Sequence, residues 1–176
     1  MEYRQRFIVD FQAFKIKGNQ FVLKELVIVR VESDEIIHCL IKSPFPYSAL
    51  WPYERCQVDY LYNNIHKIRW EDGYVTFSEA VKVLKNILKN ASSAYIKGRE
   101  RANYLRALLQ FKVVVHDLDT LNCPRSVDWV PTSGFQRCSY PGHRYLARNT
   151  HIRCGLKNAL IYKDWFKNEF SNFPKQ

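Results

Sequence analysis

The sequence predicts an α/β domain with a mixed sheet, in which antiparallel strands precede parallel strands and helices flank the sheet. Three observations indicate this fold. Segments rich in β-branched and aromatic residues lie between residues 6 and 41, a helix-capping pattern begins at Thr76, and strand-like and helix-like segments alternate from residue 93. The length of 176 residues suits one core, so we expect a single domain over residues 1–176.

The first three segments predict antiparallel strands. Residues 6–14 and 21–29 are dense in Val, Ile and Phe, and residues 17–19 supply a Lys-Gly-Asn turn between them. These two segments therefore predict a hairpin. Residues 35–41 predict a third strand, which the proline at position 44 follows.

Helical patterns begin in the middle of the chain. Residues 76–79 read Thr-Phe-Ser-Glu, a capping box that satisfies free amides at a helix start. The apolar residues after it recur at helical spacing as far as Ala91. Residues 47–69 are predicted to be partly helical. The remaining segments are predicted as a strand at 93–96, a basic helix at 98–109, a strand at 112–115 and a final helix at 156–170.

The composition is that of a folded chain without a membrane segment. Hydrophobic residues make up 47% and aromatic residues 15% of the sequence. No apolar run approaches the roughly 20 residues that a spanning helix needs, and the start of the sequence has no signal-peptide core. We therefore expect an intracellular protein, nuclear or cytoplasmic, without a membrane partner.

Positive charge is concentrated in two regions. The formal net charge is +10, and residues 82–112 hold eight Lys and Arg against the single acid Glu100. Residues 137–176 hold another eight against two acids. If the two regions share a face, they predict a nucleic-acid or other acidic partner; otherwise they are two solvated helix faces. The candidate nucleic-acid-binding residues are Lys97, Arg99, Arg101, Arg106, Arg144, Arg148, Arg153 and Lys157.

Cysteine and histidine residues in the last third predict a structural zinc site in a loop spanning 123–154. Three thiolates and one imidazole form a closed tetrahedral set, which leaves no open position for a reactive water. His151 is the substitute for the histidine ligand. The alternative is ordinary buried thiols and surface histidines. The predicted ligands are Cys123, Cys138, His143 and Cys154.

The order of several segments resembles the DEDDh family of 3′ to 5′ exonucleases. The first strand of that family carries an aspartate and a glutamate two residues apart, where this chain has Asp10 and Gln12. A second motif supplies another aspartate, where residues 101–103 offer Arg, Ala and Asn. The last motif has a histidine five residues before an aspartate, where Arg153 and Asn158 stand. The resemblance implies a ribonuclease H-like fold.

The same positions imply that catalysis is degenerate. A two-metal nuclease needs several carboxylates, because two neighbouring divalent cations must be held and neutralised. Asp10 is the acid that remains, whereas Gln12 and Asn158 are neutral and Arg153 is positively charged. No catalytic residue is therefore assigned, and Asp10, Gln12 and Asn158 are interpreted as remnants of an ancestral site.

The last third of the chain has a Cys-x4-His-x10-Cys pattern that runs from Cys138 to Cys154. Together with the degenerate motifs, this pattern resembles the Maelstrom domain, which is known from the silencing of animal transposons by small RNAs. The Maelstrom metal set includes a glutamate, whereas Cys123 is the expected fourth ligand here. The resemblance implies a zinc-holding domain that acts with small RNAs.

The preferred hypothesis is a pseudo-nuclease that binds nucleic acid, single-stranded RNA by preference. Two alternatives stay open. One is an active exonuclease or RNA-cleaving nuclease that uses Mg²⁺ or Mn²⁺ with non-standard residues, namely Asp10, Glu25, Asp117 and Asp119. The other is a scaffold that binds only proteins.

Overall fold

The computed structural model describes residues 5–134, 137–143 and 151–170. Within this part of the chain, five strands form one sheet in the order β3-β2-β1-β4-β5. β1 to β3 pair antiparallel, whereas β1, β4 and β5 pair parallel. The mixed α/β sheet predicted from the sequence is confirmed. The strands are β1 (Arg6–Ile16), β2 (Gln20–Arg30), β3 (Ile36–Leu40), β4 (Ser93–Ile96) and β5 (Val115–Asp117).

The β1–β2 hairpin decides which face each polar residue of β1 occupies. The chain reverses at Gly18, whose φ of 72° suits glycine, and Asp10 then pairs with Val27. Successive side chains of a strand point to opposite faces of the sheet. Asp10 and Gln12 therefore lie on the same face as Ile8.

Helices cover both faces of this hairpin. Leu84 of α2 and Leu105 of α3 lie in one apolar cluster with Val9, whereas Leu156 of α4 lies in another with Ile8. Both faces of β1 are buried, which agrees with its near-continuous run of apolar residues. Asp10 consequently faces α4. The helices are α1 (Pro52–Leu61), α2 (Phe77–Leu88), α3 (Arg99–Leu108) and α4 (Gly155–Phe170).

The predicted capping box starts α2. Thr76 Oγ1 accepts a hydrogen bond from the Glu79 N–H at 3.2 Å, and Glu79 Oε2 accepts one from the Thr76 N–H at 2.7 Å. Ala80, Leu84 and Leu88 form the buried stripe behind it. The sequence prediction of this helix start is confirmed.

The last parallel strand differs from its predicted position. We predicted residues 112–115, but β5 comprises Val115–Asp117. Gln110 and Phe111 adopt left-handed φ values of 53° and 56° after α3, so the chain is still turning there. Pairing with β4 begins only where Val115 meets Ala94.

The partly helical region predicted at 47–69 contains α1 and, after it, a π-helical turn at Tyr62–His66. No helix in the described ranges is long and apolar enough to cross a membrane.

Candidate metal centre and nucleic-acid groove

Four buried or half-buried side chains converge beside β2. Their potential ligand atoms all lie within 4.8 Å of one another, so the cluster could hold a metal ion. Cys138 Sγ lies 3.4 Å from His143 Nδ1, which lies 3.9 Å from a Glu25 oxygen. These side chains are Glu25, Cys138, His143 and Cys154.

The donor set of this cluster is compatible with zinc. Zinc binds thiolate, imidazole and carboxylate at about 2.0–2.3 Å, so the edges of a tetrahedral site measure about 3.3–3.8 Å. The separations of 3.4 Å and 3.9 Å in the cluster are close to those edges. Four protein donors complete a tetrahedron, which is the arrangement of a structural site.

The surroundings of Glu25 favour its carboxylate form. Burial raises the pKa of Glu25, but hydrogen bonding to His38 and the neighbouring His143 outweigh it and lower the pKa below its usual value. His38 Nε2 lies 2.8 Å from Glu25 Oε1, and the Gly155 N–H donates to Glu25 Oε2 at 2.8 Å. A fixed carboxylate at this position can act as a metal ligand at neutral pH.

The two cysteines of the cluster interact directly with one another. A hydrogen bond between Cys138 and Cys154 lowers the pKa of Cys138 and raises that of Cys154. Burial lowers the pKa of His143, but its contacts with Cys138 and Glu25 raise it overall. A bound metal would require both sulfurs as thiolates and the imidazole as neutral, which couples its binding to proton release.

Contacts with the turn after α1 position the loop that carries Cys138 and His143. His143 Nε2 lies 2.7 Å from the His66 carbonyl, and the Tyr140 hydroxyl donates to the Lys67 carbonyl at 3.2 Å. At Gly142 a Cβ atom would come within 2.6 Å of that Lys67 carbonyl, so a side chain does not fit there. The loop is thus held against the chain between its two ligands and at His143 itself.

The structure brings together three of the four predicted zinc ligands. Cys123 lies outside the cluster: its Sγ contacts the Pro124 carbonyl at 3.5 Å, and burial raises its pKa to about 12. Glu25 takes the fourth position, and the sequence analysis did not include it among the ligands. His151, the predicted substitute, is exposed and lines a separate groove.

The three remnant residues of the DEDDh-like motifs also meet. Asp10 is fully buried, and its Oδ2 accepts hydrogen bonds from the side-chain amides of Gln12 and Asn158, each at 3.3 Å. Arg101 Nη1 lies 2.7 Å from Asp10 Oδ1. At the positions where the DEDDh motifs have carboxylates, this chain therefore has one acid. Two side-chain amides and a guanidinium surround it.

Arg101 is fixed over β1. Its guanidinium donates to the Phe11 carbonyl and lies 4.4 Å from the centre of the Phe11 ring. Burial raises the pKa of Asp10 and outweighs the lowering by Arg101 and Asn158. A cation that already neutralises this carboxylate opposes the binding of a second cation beside it.

The other acids of the active-nuclease alternative have separate partners. Asp117 Oδ1 accepts hydrogen bonds from the N–H groups of Gly98 and Asp119, each at 2.9 Å, and Asp119 pairs with Lys97. Across residues 5–134, 137–143 and 151–170, the cluster around Glu25 is the one group of three or more metal-binding side chains. Asp10 does not belong to such a group.

A groove of about 470 Å³ opens directly above Asn158 and Arg101. It lies at the carboxyl ends of β4 and β5, where sheets of this type commonly place ligands. Among the described residues that line it, Asp119 is the one acid, and it pairs with Lys97. The cationic residues among those lining it are Lys97, Arg101, Arg125, Arg153 and Lys157.

Four of the predicted nucleic-acid-binding residues, Lys97, Arg101, Arg153 and Lys157, line this groove, whereas Arg99 and Arg106 do not. Arg99 is exposed on α3 away from the lining, and Arg106 donates to the Val115 carbonyl at 2.7 Å. Arg144 and Arg148 lie outside the described residues. Arg125 was missed, because nothing in its local sequence distinguishes it from a solvated loop arginine.

The metal cluster and the groove share the start of α4. Cys154 belongs to the cluster, the next residue donates its N–H to Glu25, and Asn158 one turn later contacts Asp10. A Cβ atom at Gly155 would lie 3.0 Å from the Glu25 carboxyl carbon, so α4 starts in close contact with β2. A metal in the cluster would therefore fix the helix end that presents Arg153 and Lys157.

Neither a comparison with protein-family models nor a search of curated proteins finds a match to this chain.

Proposed function

We propose that this chain is a ribonuclease H-like domain related to the DEDDh exonucleases, degenerate in catalysis, which holds a structural zinc and binds single-stranded nucleic acid. One observation carries the proposal. The Arg101 guanidinium pairs with Asp10 beside a groove whose described lining contains five cationic side chains and one acid. Lys97, Arg101 and Arg125 pair with acids, and Arg153 and Lys157 form no ion pair with a described residue. The site therefore favours an anionic ligand and opposes the divalent cations that cleavage requires.

Charge and position support nucleic acid as that ligand. Arg153 and Lys157 line the open groove and pair with no acid among the described residues, so they can contact phosphates without reading sequence. We propose RNA as the preferred ligand on the strength of the Maelstrom resemblance. The same resemblance extends the proposal to small-RNA silencing of transposons.

The zinc assignment rests on the four-donor cluster. Glu25 would supply a carboxylate ligand where the sequence predicted Cys123, and a carboxylate is what the Maelstrom metal set contains. This strengthens the proposed kinship with that family. The role of the zinc is to fix the loop at 137–143 and the start of α4, which otherwise have few elements to hold them.

A binding titration tests the function. Fluorescence anisotropy with labelled 12-nucleotide RNA, the matching DNA and an RNA duplex is expected to give the tightest binding for single-stranded RNA. Lys157→Gln is expected to weaken binding by roughly 10- to 100-fold, because a charged hydrogen bond is worth about 1.5–3 kcal/mol. Lys89→Gln is the matched control, since Lys89 is exposed at the end of α2 on the opposite face of the sheet.

Binding that is absent for all three ligands, or weakened equally by both substitutions, would exclude the groove as the binding site.

A further inference from the structure

One flank of α1 carries exposed aromatic side chains that have no role in the function proposed above. Tyr53 and Tyr60 are 51% and 60% exposed. Positions 53, 57 and 60 lie at helical spacing on one side of the helix, over about 10 Å of its axis. We call Tyr53, Gln57 and Tyr60 the aromatic flank.

The aromatic flank is continuous with the groove. Gln57 and Tyr60 line a second cavity of about 440 Å³, whose walls also contain Phe11 and Phe21. Arg101 and Arg153 line both this cavity and the cationic groove, so the two open spaces meet at these arginines. A chain leaving the groove past them would run directly onto α1.

Positive charge accompanies the flank. Lys15 lines the second cavity and pairs with Glu100 at 2.6 Å, where both side chains are partly exposed. Lys17 is exposed and forms no ion pair with any residue that the structure describes. Its backbone N–H donates to Glu54 Oε1, which the Tyr53 hydroxyl also contacts. The backbone of Lys17 therefore lies close to the Tyr53 hydroxyl, at the end of the flank that is farther from the groove.

We propose that an unpaired strand of nucleic acid continues from the groove across Arg153 and along the aromatic flank, with bases against Tyr60 and then Tyr53. This inference rests on the proposed function, because it extends the ligand of that groove. Cationic side chains at the two ends of the flank and aromatic side chains between them match the phosphates and base faces of a single strand. A duplex does not fit, because its base faces are already stacked on one another.

Oligonucleotide length provides the test. We expect a four-nucleotide RNA to occupy the groove alone and a 12-nucleotide RNA to reach Tyr53 as well. Tyr53→Ala is expected to weaken binding of the 12-mer by roughly 5- to 100-fold, the range for loss of one stacked base, and to leave the 4-mer unchanged. Tyr53→Trp is expected to retain tight binding. Phe111→Ala, at a residue 76% exposed and outside both cavities, is the matched control.

Salt dependence gives a second measurement on the same variants. Lys17→Gln is expected to reduce the slope of log affinity against log salt by about 0.7 for the 12-mer, the value for one phosphate contact on a single strand. The slope for the 4-mer is expected to stay the same.

The outcomes separate the two proposals. If the 12-mer and 4-mer bind alike and Tyr53→Ala has no effect on either, the flank is not part of the binding surface although the groove is. If neither RNA binds, the groove proposal fails and this inference fails with it. Circular dichroism of each variant checks that the exposed substitutions leave the fold intact.

Discussion

The guanidinium of Arg101 lies 2.7 Å from the buried carboxylate of Asp10. The two residues come from α3 and β1, so the pair joins a helix end to the central strand of the sheet. A nuclease that works with two metal ions needs free negative oxygens at such a place. Here the negative charge is already neutralised from within the chain.

Breaking this pair is expected to destabilise the fold. Arg101→Met leaves a buried, unpaired carboxylate, which costs about 3–5 kcal/mol of unfolding free energy. Adding Asp10→Asn in the double variant is expected to recover part of that loss. Urea unfolding of both variants measures the effect, with the exposed Arg99→Gln as a control expected to change stability by less than about 0.5 kcal/mol. A loss below about 1 kcal/mol for Arg101→Met would contradict the role assigned to the pair.

Metal content distinguishes the ligands that the structure brings together from the set predicted by sequence. We expect one zinc per chain by elemental analysis. Glu25→Gln and Cys154→Ser are expected to lose it, because each removes one of four donors. Cys123→Ser is expected to retain it, since Cys123 lies outside the cluster. Zinc that is lost in the Cys123→Ser variant and retained in the Glu25→Gln variant would instead support the ligand set predicted from the sequence.

Zinc removal is expected to weaken nucleic-acid binding, although no ligand of the cluster touches the groove. Cys154 precedes α4, whose first turns present Lys157, so releasing the metal frees the end of that helix. Losing one charged contact of about 1.5–3 kcal/mol lowers affinity by about tenfold or more. Anisotropy titrations before chelation, after chelation and after zinc addition measure this. Unchanged affinity in protein shown to be zinc-free would refute the coupling.

A buried lysine, Lys24, makes the free energy of unfolding depend on pH, and this effect is independent of the metal. Lys24 Nζ donates to the Trp70 carbonyl at 2.8 Å, and burial lowers the pKa of Lys24 from 10.5 to about 8. Between these values the unfolded chain binds more protons than the folded one, so the Lys24 contribution to stability rises with pH. Each pKa unit corresponds to about 1.4 kcal/mol, so the rise is about 3 kcal/mol.

Denaturant unfolding between pH 7 and 10.5 tests this, with Lys24→Met as the variant that removes the contribution. The wild-type stability minus the variant stability is expected to increase with pH. A constant difference would mean that the pKa of Lys24 is not lowered in the folded chain.

Local patterns were sufficient to predict much of the sheet and α2. The hairpin and the Thr76–Glu79 capping box depend on neighbouring residues, and both formed where the sequence indicated. The predicted position of β5 was wrong because the chain turns at Gln110 and Phe111. Both residues have left-handed φ values, and neither is a glycine that would indicate such a turn in the sequence. Their turn moves the strand towards Asp117.

The candidate site was less predictable because its partners are distant in sequence. Cys138, His143 and Cys154 stand near one another in the sequence, but Glu25 joins them only because β2 packs beside α4. A charged residue inside the apolar run of β2 was the available signal. The Arg101–Asp10 pair likewise depends on how α3 meets β1, which no spacing reveals.

The central claim is that the groove binds single-stranded nucleic acid without cutting it. The most direct measurement incubates purified protein with end-labelled single-stranded RNA and Mg²⁺ or Mn²⁺, then resolves the RNA on native and denaturing gels. We predict a retarded band on the native gel and full-length RNA on the denaturing gel. If the wild-type protein shortens the RNA and the Asp10→Asn variant does not, the account is contradicted. Asp10 would then support catalysis despite its pairing with Arg101.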